Sequence, residues 1–398
     1  MLEICVSRAG DSGSWQSHYL QKEYLISACS ADLLHFAMSD FSLRDVQILP
    51  ATASNYSEVM AISNGINDGL DYLPYKYHEW LADSNWSMFI AKFKGKVVAF
   101  LSTLLVDGGI TALLQSLRVA PIMRGHGIAG VIRGYALDNL RCKNPEVGKI
   151  RVTRKENPPA ALLKRYPVVH SKAVVSVLLP NNQMEDSIKA LRLRVKRDYV
   201  GALPVVLSPS EVLDLFENPC TLEHLFPKGL LIGGFLPLSA HKCNLKLLLG
   251  LGLVWIYSKS TNSDTPSSLG TQCSHPAPTH INPPPQHSPL PHVSPELLSL
   301  SSAPIPVPLA KGTHCLNIDL FGTNPRFVQG HILHHLVKQI PVLPPGGSII
   351  CVVVAEETLR GAVTHSLQGI TPFHTRKNLL VFEISLQNPY LPHNKAKM

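Results

Sequence analysis

From Arg44 onward, the spacing of hydrophobic and polar positions predicts an ordered succession of strands and helices. Val46, Ile48 and Leu49 predict a first strand, and Tyr56, Val59, Met60 and Ile62 fall near one face of a helix over 54–63. A Gly/Asp loop at 65–71 leads to Pro74, which opens a second helix through 80–83 in the early position where a missing N–H costs nothing. Residues 88–92 and 96–106 read as strands joined at Lys94-Gly95-Lys96, and 113–119 as a third. Next, Ile128, Val131, Ile132, Tyr135 and Leu140 recur at helical spacing, so one face of that helix packs on the sheet. Residues 149–153 predict a short strand, 158–165 a short helix, and the continuously apolar run 173–179 a strand buried on both faces.

A second unit begins at Ser208-Pro209-Ser210-Glu211, a capping box with proline at the first helical position. Residues 229–238 and 245–257 read as strands. Composition then shifts: 12 of the chain's 32 prolines lie between Pro266 and Pro308, mixed with serine and histidine. Such a stretch buries too little apolar surface to offset its ordering entropy, and a disordered insertion over 261–311 is expected. Strands at 315–321, 348–355 and 379–386 and helices at 327–340 and 358–365 follow. Their succession matches that of 113–179, an internal repeat of architecture. The expected organisation is an N-terminal extension (1–43), a first domain (44–185), and a degenerate copy of it (186–260 and 312–390). The fold class is α+β, with helices on both faces of a mixed sheet.

At 398 residues and 45% apolar, the chain can bury two cores. Its net charge of +8 is spread along the sequence, which suits an anionic small ligand better than a nucleic-acid groove. Eight scattered cysteines without a Cys-x-x-Cys pair fit a reducing, cytoplasmic setting, and no signal peptide is visible. The longest apolar run, 245–257, is shorter than the roughly 18 residues of a spanning helix, so stable membrane insertion is not expected. Oligomeric state is not specified.

The chemistry concentrates at Arg124-Gly125-His126-Gly127-Ile128-Ala129. Two glycines flanking one residue allow a tight turn with inward N–H groups, and the following helix directs its own unpaired N–H groups and positive dipole end to the same place. An anion, in particular a pyrophosphate, suits it; a ligand-free turn is the alternative. A Rossmann site needs Gly-x-Gly-x-x-Gly after a parallel strand and a Walker loop needs Gly-Lys-Ser/Thr, and neither fits. The loop resembles the Arg/Gln-x-x-Gly-x-Gly/Ala signature of the GNAT superfamily of N-acetyltransferases, in the same place between a Leu117-Arg118-Val119 strand and an amphipathic helix. Asp71-Tyr72-Leu73-Pro74, Tyr77, Trp80-Leu81 and Glu156-Asn157-Pro158-Pro159-Ala160 resemble, more narrowly, its histidine N-acetyltransferase group.

This resemblance implies a GNAT fold and transfer of acetyl from acetyl-CoA to the α-amino group of a free amino acid, L-histidine. It places the pyrophosphate on Arg124, Gly125, His126, Gly127, Ile128 and Ala129, the acetyl and pantetheine arm along Leu117, Arg118 and Val119, and a further cofactor contact at Asn157. Where many relatives carry a glutamate, this chain has Gln115, which is no base. Glu156, His78, Glu79 and Asp71 are then the candidate general bases, with a water chain as the alternative, and Tyr166 is the candidate proton donor to the thiolate. Asp68 and Asp71 are candidates to receive a cationic acceptor, and Tyr72 and Tyr75 to stack on an imidazole. His331, His334 and His335 share a helix face, but without a recognised ligand spacing no metal is expected. The second copy reads Gly322-Thr323-Asn324-Pro325-Arg326-Phe327, lacks the paired glycines, and is expected to hold no phosphate. The competing readings are an acyl-CoA-binding or scaffolding protein without catalysis, and a protein N-acetyltransferase.

Overall fold

The computed structural model describes residues 41–63, 65–158, 160–199, 203–259, 295–373 and 376–386. In its first half, β1 (Gln47–Pro50), α1 (Tyr56–Ala61) and α2 (Leu73–Ala82) lead into the antiparallel strands β2 (Trp86–Phe93), β3 (Lys96–Val106) and β4 (Thr111–Val119). There follow α3 (Ile128–Lys143), β5 (Lys149–Lys155), α4 (Ala160–Arg165) and β6 (Val168–Leu179). Residues 97–104 of β3 are buried without a break, the mark of a strand covered on both faces. On one of those faces α1, α2 and α3 supply Val59, Tyr77, Ile128 and Ile132 to the core.

The second half contains α5 (Asn181–Asp198), β7 (Val205–Val206), α6 (Pro209–Glu217), α7 (Pro219–Leu225), the hairpin β8 (Leu230–Gly233) and β9 (Leu236–Ser239), and α8 (Leu245–Gly250). It continues with β10 (Val254–Lys259), β11 (Pro295–Ser301), β12 (Ile305–Pro306), β13 (Thr313–Gly322), α9 (Val328–Gln339), β14 (Ser348–Ala355), α10 (Arg360–Ser366), β15 (Thr371–Pro372) and β16 (Asn378–Ser385). The Ser208 capping box forms as read. Two expectations change. Residues 245–250 are helical because Leu245 and Leu248 lie one turn apart, both facing the core, and only 254–259 pair as a strand. Residues 295–311 are not disordered: β11 and β12 form there, and Leu297, Leu298 and Leu300 are fully buried between β10 and β13. Averaging over the prolines around them hides a strand-forming segment. The remainder of the proline-rich stretch, 260–294, and residues 1–40 lie outside the described residues.

The halves are joined through one 14-stranded sheet, in which β16 lies between β5 and β6, and β6 lies between β16 and β14. The last strand of the chain therefore completes the sheet of the first half, and β6 extends the sheet of the second. A buried junction reinforces this exchange. Arg151 on β5 reaches Asp107 at 2.6 Å and Glu383 of β16 at 2.7 Å, while Asp107 also accepts from the Ser239 amide and from Asn244. Among the described residues, no helix is long and apolar enough to cross a membrane.

The histidines of α9 form a hydrogen-bond ladder with serines. Ser299 Oγ lies 2.7 Å from His331 Nδ1 and 2.8 Å from His335 Nε2, Ser258 completes His331, and Ser301 completes His335. Burial, with the nearby His334 and Lys338 charges, pushes His335 down to about 3. The unfolded chain takes up a proton near pH 6.5 and the folded one only near 3, so this contribution to stability is lost as pH falls through that window. Between pH 7 and 5 the loss is about 2 kcal/mol. Urea unfolding at both pH values should show a steeper loss for the wild type than for His335→Asn, whose side chain does not titrate; parallel losses would contradict the assignment.

Candidate active site

Strand β4 sets the geometry. Phe100 faces Arg118 and Ser102 faces Gln115, so Leu101 opposes two residues of β4, a β-bulge centred on Ser116, whose φ is +55°. A regular strand turns alternate side chains to opposite faces, yet here Gln115, Ser116 and Leu117 all line one cavity. β4 and β5 pair in parallel only at Thr111–Leu113 with Lys149–Arg151. Beyond that point the strands part, leaving the β5-facing edge of β4 without a partner strand. The cavity between them measures about 800 Å3.

Helix α3 forms one wall. Gly127 caps it at φ +82°, Gly125 is also at +82°, and among the described residues no group accepts a hydrogen bond from the amides of Gly125, His126, Gly127, Ile128 or Ala129. Gly127, Gly130 and Gly134 all line the cavity, and a Cβ added at Gly130 or Gly134 would meet nothing within 4 Å, so the helix leaves open space on that side. Arg133, Arg141, Arg154 and Lys155 add positive charge against one lining carboxylate, Asp138. Five free amides at a helix start, under a cationic wall, suit a polyphosphate ligand. Arg124 is exposed, with its Nε on the Val119 carbonyl at 3.2 Å, and His126 packs edge-on to Phe41.

Several candidate residues have other work. Arg118 and Asp71 form a buried bidentate pair at 2.6 and 2.7 Å; Arg118 also donates to Ser63, and Asp71 accepts from the Leu73 amide at the start of α2. Asp71 is therefore not open to a cationic acceptor, and the Arg118 guanidinium is committed to Asp71 and Ser63. Glu156 accepts from the amides of Lys377 and Asn378 at 2.9 and 3.0 Å, anchoring the entry to β16. Burial acts to raise its carboxyl, but those amides outweigh it and hold Glu156 below the ordinary glutamate value, the wrong direction for a base. Glu156 and Asn157 lie outside the cavity lining, and Tyr75 is 50% exposed beside Lys76 on the outer face of α2. Asp68 stands at the rim, paired with Lys155.

Tyr72 and Tyr166 do line the cavity. The Tyr72 hydroxyl accepts from Ser116 at 3.0 Å and donates to Gln115 Oε1 at 3.4 Å; burial raises its pKa, so it stays protonated at neutral pH. Tyr166 is placed by the end of α4, its amide bonded to the Leu162 carbonyl. The sequence reading did not assign Ser116, Arg133, Arg154, Phe235 or Arg376 to the cavity, and the last two come from the second half of the chain.

The second half repeats the architecture without the opening. β13 and β14 stay paired from Thr313 opposite Ser348 through Asp319 opposite Val354, so no cleft forms between them. Pro325 and the Asn324 side chain occupy the turn before α9, where the first half has its free amides.

Comparison with known proteins matches the two halves to different family models. Residues 57–164 match the acetyltransferase (GNAT) family, and residues 201–281 and 290–356 match the C-terminal domain of histidine N-acetyltransferase. The chain is 30% identical over 301 residues to histidine N-acetyltransferase of Xenopus tropicalis, covering 75% of this chain and 83% of that one. It is 30% identical over 316 residues to probable N-acetyltransferase 16 of Homo sapiens, covering 78% and 76%. Among solved structures, a tandem GNAT protein from the clavulanic acid biosynthesis pathway aligns with a TM-score of 0.44 at 13% identity, covering 85% of this chain and 98% of that one.

Proposed function

We propose a reaction from the premise that this chain belongs to the histidine N-acetyltransferase group of the GNAT family and is an N-acetyltransferase: it moves acetyl from acetyl-CoA to the α-amino nitrogen of free L-histidine. The observation that carries the reading is the opening between β4 and β5, flanked by amides at the start of α3 that among the described residues have no acceptor. The amides of Gly125 to Ala129 would hold the pyrophosphate, and the unpaired edge of β4 along Leu117 to Val119 would hold the acyl arm and polarise its carbonyl. Acetyl-CoA supplies a thioester as the acyl donor. The amine attacks the carbonyl carbon, the C–S bond breaks, and the thiolate leaves.

Proton handling follows from what lines the cavity. Glu156 is committed to backbone amides and Gln115 does not titrate, so neither takes the acceptor's proton; Asp138, the one carboxylate in the lining, shares its helix wall with Arg133 and Arg141, and the ammonium loses its proton to water. The rate at subsaturating acceptor should therefore climb from pH 6 toward the amine's own pKa; a plateau set by a protein group near pH 6 would contradict this. Tyr166 would donate to the departing thiolate. A thiolate is a far weaker base than the alkoxide-like adduct formed by the attacking amine and leaves without prior protonation, so Tyr166→Phe should lower kcat only about tenfold and leave both KM values in place. The reading as a whole is tested by thiol release from acetyl-CoA with a panel of free amino acids. Histidine is expected to lead, and acetylation confined to protein N-termini would overturn it. Binding of acetyl-CoA without turnover of any acceptor would place the chain with non-catalytic CoA-binding proteins.

A further inference from the structure

Arg376 sits between β15 and β16 and lines the cavity alongside Phe235, Cys315 and Asn317, all from the second half of the chain. Its guanidinium lies over the Phe235 ring, 4.9 Å from the centroid, and its Nε is buried with no hydrogen-bond partner. Among the described residues no carboxylate lies within ion-pairing distance of it; Asp68 and Glu156 act on it only from further off. Those two are occupied by Lys155 and by backbone amides. A half-buried guanidinium without an anion is costly, and the place left for one is the cavity. Stacking on a ring covers a guanidinium face and leaves its N–H edge free, the arrangement that receives a carboxylate through two parallel hydrogen bonds.

The platform is itself braced. Phe235 adopts φ +68° at the tip of the β8–β9 hairpin, and the preceding Gly234 amide donates to buried Asp319 at 2.8 Å. Arg376 lines the same cavity as Tyr72, whose hydroxyl is bonded to Ser116 at the bulge. This is where the acceptor must meet the acyl carbon if the proposed reaction holds.

We propose, resting on that reaction, that Arg376 on its Phe235 platform binds the carboxylate of the acceptor, so that the second half of the chain confines the enzyme to free α-amino acids. Histamine carries the same imidazole and an amine but no carboxylate, and provides the probe. With the full-length protein and acetyl-CoA, kcat/KM for L-histidine should exceed that for histamine by about 100-fold, the scale of one bidentate charge-assisted contact. Arg376→Gln should collapse that ratio toward one, chiefly through KM for histidine, with KM for acetyl-CoA unaltered and the thermal midpoint retained. Arg376→Lys should restore part of the ratio. Equal use of histidine and histamine by the wild type would overturn the proposal. So would a raised KM for acetyl-CoA in Arg376→Gln with the ratio preserved, since Arg376 would then serve the cofactor's phosphates. If neither amine turns over, calorimetric titration of both into CoA-saturated protein decides. A histidine preference lost in Arg376→Gln supports the carboxylate site while sinking the proposed reaction, and equal affinities or no binding sink both.

Discussion

Replacing Gly127 by valine is expected to weaken acetyl-CoA binding more than about 100-fold, a loss near 2.7 kcal/mol, with only a modest fall in thermal midpoint. Gly127 caps α3 at φ +82°, a conformation that a β-branched residue adopts only at a cost of about 1–3 kcal/mol. A Cβ there would also come within 3.3 Å of the exposed Leu43 side chain, which must give by a few tenths of an ångström, so the backbone strain is the larger effect and is relieved by a shift of the loop. Any shift turns away amides that among the described residues have no internal acceptor and are therefore available only to a ligand. Gly125→Ala is the control: φ is also +82°, but the added carbon meets nothing within 4 Å, so strain acts there without a clash. Calorimetric titration with CoA beside thermal melts of each variant separates the two effects. Binding by Gly127→Val within about threefold of wild type would remove the pyrophosphate from this loop.

The elements that place this loop were legible in the sequence because their signals are local. The apolar run of β3, the helical spacing of Ile128, Ile132 and Leu140, and the Gly-x-Gly turn each lie within a few residues. The site's other half was not legible, because it is built from distant pairs. Asp71 and Arg118 meet across 47 positions, and Glu156 meets Lys377 across 221; nothing around Asp71 or Glu156 distinguishes an ion-paired or capping carboxylate from an open one. The bulge at Ser116 leaves no mark either, since Gln115-Ser116-Leu117 is an ordinary strand sequence whose extra residue is defined only against β3.

The exchange of strands extends the same point. The strand expected at 379–386 forms at Asn378–Ser385, yet pairing partners are set by register and topology rather than by composition, and β16 completes the first half's sheet. This placement brings Phe382, Ile384 and Leu386 to the cavity and sets Arg376, just ahead of the strand, beside it. The second half thus contributes walls to a cleft that it does not itself form: its own β13–β14 pair stays closed.

Replacing Asp71 by asparagine is expected to lower stability by about 3–5 kcal/mol, because it leaves the Arg118 guanidinium buried without its counter-charge. For a chain of this size that is a fall in thermal midpoint of roughly 4–6 °C. Were Asp71 instead a receptor for the acceptor's charge, the same change would raise KM for the acceptor and leave the midpoint in place, so melts and kinetics on one variant divide the two roles. Pairing the change with removal of the partner sharpens the division. Asp71→Leu with Arg118→Met replaces both charges with apolar groups and should recover much of the lost stability, as it leaves neither charge unpaired. Activity should recover less. Asp71 also accepts from the Leu73 amide, and Tyr72 between them holds Gln115 and Ser116 at the bulge, so the apolar pair restores packing without restoring the turn that presents Tyr72 to the cavity. A double variant as unstable as Asp71→Asn would show that the buried charge is not what the pair contributes.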